Sequence, residues 1–448
     1  TGRVMQMKRD DTEGRFSTMT QSGTNAKLWI KGCRVIDPVN RVDETRDVYV
    51  EDGVYVEEPG AGFRESATCI DAGGLCLAPS LTDLQVHLRE PGDTHKETIR
   101  SGTRAAAKGG FTRVVCMPNT RPPCDNPGNL RLIHDIIERD ACVEVFPTGC
   151  ITLGSLGEQL APIGSLKNAG AIALSDGGHC VQNSELMRRA LEYARMLDMV
   201  VLDHCQDTSL TQKAIMNEGV WSLKLGLRGW PHEAEDLMVS RDVILSEKTG
   251  ARVHLQNISS GSAVDIIQRA KNRGVRVTAE VTPHHLSLTD ACVAGYESRF
   301  KMNPPLRTEE DRRRLIEGLC SGVIDCIACD HAPHNEDDKD MEFDYAPFGV
   351  IGLETAFGVV LTHLHHEEGI SLMRILEWMS GAPDRILGLP AKHVSSGVPA
   401  DFILFDPAEE WEVRQDDFVS ISRNSPWTGK KLRGRVRATY LKGRRVYG

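Results

Sequence analysis

The chain has 448 residues, 40% of them hydrophobic and 26% charged, with a formal net charge of -10. That balance excludes a disordered or fibrous chain and exceeds an ordinary single core, so one large domain with a smaller one is expected. No run approaches the roughly 18 apolar residues of a membrane span, and the acidic balance disfavours a phosphate-backbone ligand; neither membrane nor nucleic acid is expected as a partner.

Residues 1–26 are polar and lack an apolar signal-peptide core, which predicts a flexible tail. From Lys27 to about Cys69, short runs such as Leu28-Trp29-Ile30, Cys33-Arg34-Val35-Ile36 and Val48-Tyr49-Val50 are punctuated by Gly and Pro, the pattern of hairpins. The pattern returns in Asp401–Asp406, Arg437–Leu441 and Arg445–Tyr447. We therefore expect residues 27–79 and 390–448 to form one small β-sandwich domain built from both chain ends.

Between them, residues 80–389 alternate strand-like and helix-like segments, as a parallel sheet with crossover helices does. Eight apolar runs stop in polar clusters: Asp83–Arg89, Met117-Pro118-Asn119, Pro147-Thr148-Gly149, Ser175-Asp176-Gly177, Asp203-His204-Cys205, His254–Ser260, Thr282–His285 and Asp330–His334. Eight units predict an α/β fold of the (β/α)8 TIM-like barrel type, whose site lies at the carboxyl ends of the strands. No Gly-x-Gly-x-x-Gly opens a helix early in this region, which argues against an open dinucleotide-binding sheet.

The first of these ends is the richest. Strand alternation predicts that Asp83, Gln85, His87 and Arg89 share a face. Collecting ligand types over all the strand ends gives His87, Asp176, His204, His254 and Asp330. Each alone is more often an ordinary polar residue, but five at equivalent places in a repeated architecture suit zinc with room for water. Zinc lowers the pKa of its bound water to near neutral, which supplies a hydroxide nucleophile, and Asp330 beside that water would shuttle its proton. Gln85 replaces imidazole by amide where a His-x-His pair is usual, so one of two metal positions should bind weakly.

Arg89 offers a fork of donors for a carboxylate. With Asn119, Asn303 and His334 it describes a pocket for a small acidic substrate. The charged run Glu336–Asp340 reads as a solvated loop, residues 335–345 have the composition of a lid over the substrate, and the glycines after them, from Gly349 on, can bring backbone groups against a ligand. Thirteen cysteines, many in apolar runs such as Cys326-Ile327-Ala328-Cys329 and with no two CxxC motifs at zinc-ribbon spacing, predict reduced buried thiols and a cytoplasmic protein.

The ordered set HLREPG (87–92), KETI (96–99), MPNT (117–120), LSDGG (174–178), DHCQD (203–207), MNEG (216–219), TPHHL (282–286), NPPLR (303–307), DHAPH (330–334), FGVIGLETA (348–356) and ISRNSPW (421–427) resembles the dihydroorotases of the amidohydrolase superfamily, in their long form with a bridging aspartate. The resemblance spans residues 27 to 447. It implies zinc-dependent interconversion of N-carbamoyl-L-aspartate and L-dihydroorotate in pyrimidine biosynthesis. By motif position it implies metal ligation by His87, Asp176, His204, His254 and Asp330, with one or two zinc ions and Asp330 as acid/base. It implies substrate contacts from Arg89, Asn119, Asn303, His334, Phe348 and Gly349. Two alternatives go with it: a metal-depleted relative serving as structural partner of aspartate transcarbamoylase, and a hydantoinase- or allantoinase-like cyclic amidase. A homo-oligomer is expected in either case.

Overall fold

A computed structural model describes residues 27–57 and 59–448; the tail expected over 1–26 lies outside the described residues. In chain order the strands begin with β1 (Leu28–Asp37), β2 (Val42–Glu51), β3 (Val54–Val56), β4 (Thr68–Asp71) and β5 (Cys76–Pro79). Then come β6 (Leu81–Val86), β7 (Phe111–Cys116), β8 (Glu144–Pro147), β9 (Val200–Asp203), β10 (Met216–Asn217), β11 (Gly229–Trp230), β12 (Arg252–Leu255), β13 (Val277–Val281) and β14 (Cys326–Ile327). The last three are β15 (Phe402–Glu412), β16 (Lys431–Leu441) and β17 (Arg444–Tyr447).

Strands from both ends share one sheet in the order β17-β16-β15-β5-β1-β2-β3, with β4 on β1. Its joint is the antiparallel pair β15–β5, which sets Phe402 opposite Pro79 and Leu404 opposite Leu77. Alternation along β15 gives this sheet two packed faces. Phe402 and Leu404 join Leu28, Ile30, Val50 and Tyr440 in a core of their own, with Phe402 stacked on Tyr440 at 4.4 Å. Ile403 and Phe405 face the other way, into the main barrel core, where Phe405 meets Phe357 edge-on at 5.1 Å.

One residue, Ser80, carries the chain from β5 into β6. Its hydroxyl bonds Thr112 Oγ1 at 2.6 Å and its carbonyl accepts from Ser380 Oγ at 2.8 Å. Parallel pairing then runs β6-β7-β8 and β9-β12-β13-β14. Leu174 bridges the two sets through Gly149 and Val201, and a Val86–His331 bridge closes the ring. Strand four is thus a single bridging residue in an otherwise regular eight-membered barrel.

Crossover helices follow from capping and stripe. Asn126 accepts from the amides of Gly128 and Asn129, Pro127 stands at the helix start, and Leu130, Ile133 and Ile136 bury one face of Pro127–Asp140. Burying each such side chain contributes about 1.5–3 kcal/mol. The barrel interior is filled by Leu84, Val115, Ala173, Leu202 and Ala328, with Ile386 and Leu387 against them. No helix among the described residues is long and apolar enough to cross a membrane, and all thirteen cysteines are free.

Candidate functional site

The alternation predicted for 83–89 is corrected at two points. The register against β7 slips between Asp83 and Val86, so Asp83 leaves the face of Gln85 and His87. Asp83 instead accepts from the amides of Gln85 and Cys329, at 2.9 Å each. Pairing in β6 stops at Val86, after which the His87 amide bonds the His331 carbonyl and Arg89 turns to φ 58°. His87 and Arg89 therefore reach the cleft from the loop beyond the strand.

Around the barrel mouth His87 Nδ1 donates to Asn119 Oδ1 at 2.8 Å, and its Nε2 lies 3.3 Å from Asp330 Oδ1. Asn257 Nδ2 donates to the other Asp330 oxygen at 3.2 Å. His204 Nε2 donates to Asn303 Oδ1 at 3.0 Å, and Asn303 Nδ2 to Gln206 Oε1 at 3.2 Å. Burial pushes the Asp330 carboxyl up, but the His87 contact and the nearby His284 and His204 overcome this and hold it below its ordinary value. The structure thus brings together His87, His204, Asp330, Asn119 and Asn303.

It does not bring Asp176 or His254 to them. One Asp176 oxygen accepts from the amides of Ile151 and Thr152 at 2.8 and 3.0 Å, and the other accepts from Thr152 Oγ1 at 2.5 Å. Burial raises this carboxyl above its ordinary value despite those donors. The next residue, Gly177, is the one that faces the cleft: a Cβ there would lie 3.1 Å from Asn119 Cβ and Cγ.

His254 fails for a reason of register. It sits level with Leu202 on β9, which places it one inward layer below His204, inside the barrel rather than at its mouth. Both of its ring nitrogens are engaged, with Thr278 Oγ1 at 2.8 Å and Glu280 Oε2 at 2.9 Å. Past β12, Asn257 takes φ 52° and turns to Asp330. Among the described residues, the groups of three or more His, Cys, Asp and Glu ligand atoms lying within 4.8 Å are His254–Glu280–Cys326 and Asp203–Cys205–Asp242. Neither includes His87, His204 or Asp330. The first is barrel filling, and the second is closed by the Arg241 guanidinium, 3.1 Å from Asp203 and 2.8 Å from Asp242.

The anion side of the cleft is formed by Arg89 and His334. Arg89 Nε donates to the Pro333 carbonyl at 3.2 Å, which orients the fork. His334 Nε2 donates to the Phe348 carbonyl at 2.8 Å, while its Nδ1 is buried without a partner. Burial, reinforced by the charges of Arg89, Lys339 and Lys96, pushes the imidazole down to about 2. His334 is therefore neutral, and its Nδ1 offers an acceptor to the cleft.

Within residues 335–345, Glu336, Asp337 and Asp340 are exposed, as expected of a solvated charge run, whereas Lys339 and Phe343 are buried and fasten the segment to the cleft. Asn335 caps the short turn Glu336–Lys339. Lys339 is buried, with its ammonium donating to the carbonyls of Pro347 and Gly349 at 2.9 and 3.1 Å. Lys301 donates to those of Phe343 and Asp344 at 2.6 and 3.0 Å. Burial pushes the two amines down to about 7 and about 8 respectively. These lysines set the position of Phe348 and Gly349. Gly349 has φ 127°, and a Cβ on it would meet Ala332 Cβ at 2.8 Å, so only glycine fits there.

Barrel, two-ended sheet and mouth-facing polar cleft define the amidohydrolase fold of the cyclic amidases. L-hydantoinase (dihydropyrimidinase) from Arthrobacter aurescens superposes with a TM-score of 0.84 at 23% identity, covering 94% of this chain and 96% of that one. Dihydropyrimidinase from Brevibacillus agri does so with a TM-score of 0.78 at 21% identity, covering 94% and 95%. Within that class, the chain belongs to the dihydroorotase family. It is 48% identical over 420 residues to dihydroorotase from Pelotomaculum thermopropionicum, covering 94% of this chain and 98% of that protein. It is 47% identical over 423 residues to dihydroorotase from Pelobacter propionicus, covering 94% and 99%. The Dihydro-orotase-like family model matches residues 74–263.

Zinc goes with this family, and its ligand preferences set what the cleft must supply. Zinc favours imidazole, thiolate and carboxylate, whereas neutral amide oxygens suit harder ions. His87, His204 and Asp330 are acceptable donors. Gln85 and Asn257 supply amide oxygens that are buried and unpartnered, and Gly177 supplies none. Three donors fall short of what two zinc ions need.

Proposed function

We propose that this chain recognises the pair N-carbamoyl-L-aspartate and L-dihydroorotate and interconverts them, the reaction after which its relatives are named. The observation that carries the reading is the convergence of Arg89, Asn119, Asn303 and neutral His334 around Asp330. Arg89 binds the substrate carboxylate through paired donors. His334 Nδ1 accepts a ring N–H, and Asn119 and Asn303 orient the amide. Asp330, kept ionised, takes the proton released as the attacking oxygen adds to the ring carbonyl and returns it to the leaving nitrogen. In the reverse direction the same carboxyl serves the closing amide. When bound, zinc supplies polarisation of that oxygen; the residues described here position and shuttle. The free thiols support a reducing compartment such as the cytoplasm.

A zinc-supplemented assay following dihydroorotate opening at alkaline pH and carbamoyl aspartate closure at lower pH tests the reading. Turnover that falls with Arg89→Lys and vanishes with Asp330→Asn is expected; absence of turnover at every zinc loading refutes it. The engagement of Asp176 and His254 elsewhere favours a second reading, a ligand-binding partner of aspartate transcarbamoylase. Co-purification with that enzyme, without turnover, would select it.

A further inference from the structure

From the cleft we infer that this chain cannot hold a two-metal centre: it retains at most one divalent ion, between His87, His204 and Asp330, because Gln85, Gly177 and Asn257 occupy the mouth-facing positions of strands one, four and six. The inference deepens the dihydroorotate reading and rests on it for the identity of the ligand, though not for the metal count.

Three separate observations support it. On strand one, Gln85 stands two residues before His87, and its amide oxygen is buried with no donor near it. On strand four, the carboxylate is turned away. Asp176 is satisfied by three donors of the 151–152 loop, and the cleft side is left to Gly177, whose missing Cβ would have pointed at Asn119. On strand six, the imidazole lies a layer too low, with both nitrogens occupied, and the mouth position holds Asn257. That amide bonds Asp330 Oδ2 directly, in space a second cation would otherwise occupy. The anion pocket of Arg89 and His334 shares none of these three residues, so ligand recognition and metal capacity are separable in this cleft.

The experiment uses the full chain, stripped and reloaded with excess cobalt(II). Metal per chain is measured by elemental analysis, and dihydroorotate affinity by calorimetry. Cobalt held by thiolates shows a sulfur charge-transfer band, which separates cysteine-bound ions from cleft ions bound by nitrogen and oxygen. The wild type is expected to carry no more than one cleft ion, abolished in His87→Ala/His204→Ala. The triple variant Gln85→His/Gly177→Asp/Asn257→His is expected to gain one further equivalent, and Asn257→His alone to tighten the first at least tenfold. Two cleft ions per wild-type chain overturn the inference, as does a folded triple variant that gains none. If the triple variant does not fold, the wild-type count and the single variant still decide. Loss of dihydroorotate binding with the predicted metal counts would refute only the proposed function.

Discussion

Removing the Asp176 carboxylate tests whether it is a loop anchor or a metal ligand. In Asp176→Ala the amides of Ile151 and Thr152 lose their acceptor in a buried setting. The Thr152 hydroxyl still accepts from the Gly157 amide at 3.0 Å. Two stranded amides cost about 1–3 kcal/mol each, so about 2–6 kcal/mol is expected, a large part of the roughly 5–15 kcal/mol that holds a typical domain folded. Asp176→Asn keeps one carbonyl oxygen for both amides and turns an NH2 toward a hydroxyl that can rotate to accept. It should cost about 1 kcal/mol. Urea midpoints give the stability ranking, while metal analysis and dihydroorotate titration on the Asn variant give the functional readout. An anchor predicts the order wild type, Asn, Ala in stability, with metal content and affinity unchanged in Asn. A variant with the wild-type midpoint that loses metal or ligand would refute the assignment.

Arg89→Lys replaces a two-point carboxylate grip by a point charge, which should weaken dihydroorotate binding by about 1.5–3 kcal/mol, or about 10- to 150-fold in calorimetry; unchanged affinity would place the carboxylate elsewhere. Gly349→Ala forces a Cβ against Ala332 at a positive φ, so thermal melts should show a loss of about 1–3 kcal/mol together with weaker ligand binding. Asp83 is buried, and that burial pushes its carboxyl up to about 7, so its proton stays on in the folded state where the unfolded chain has lost it. Its contribution to stability is full below about pH 4 and is lost as pH rises through 7. The stability difference between wild type and Asp83→Asn should therefore shift against wild type over that window, and a flat difference from pH 4 to 8 would show that Asp83 ionises normally.

The barrel was legible because apolar runs ending in polar clusters recur at strand–helix spacing, and the two-ended sheet because hairpin signals bracket that repeat. The site was legible only by strand. Residue spacing says that an imidazole or carboxylate lies near a strand end, but His254 and His204 differ by one inward layer, and that difference is set by pairing register rather than by local sequence. Asp176 and Gly177 are adjacent, and which of them faces the cleft depends on donors from a loop 24 residues earlier. Asn257 carried a weaker signal: a polar residue just past a strand, indistinguishable from turn chemistry. Lys339 sits in a run of charge that reads as solvated, yet carbonyls brought in by Pro347 and Gly349 bury it. In each case the deciding partner is distant or is backbone, and neither leaves a mark on the local pattern.

The joint between β5 and β15 also orders events in time. Cys76–Pro79 lead through Ser80 straight into the first barrel strand, yet their neighbour in the sheet, beginning at Phe402, is synthesised only after every barrel strand has left the ribosome. Until then β5 is paired on one side only, with β1, and its other edge is open beside the barrel's first strand. Pairing across so long a separation is entropically slow to form. Nascent chains should therefore remain protease-sensitive around Cys76–Val86 until translation passes the end of β16, making completion of the C-terminal strands a checkpoint for the catalytic barrel.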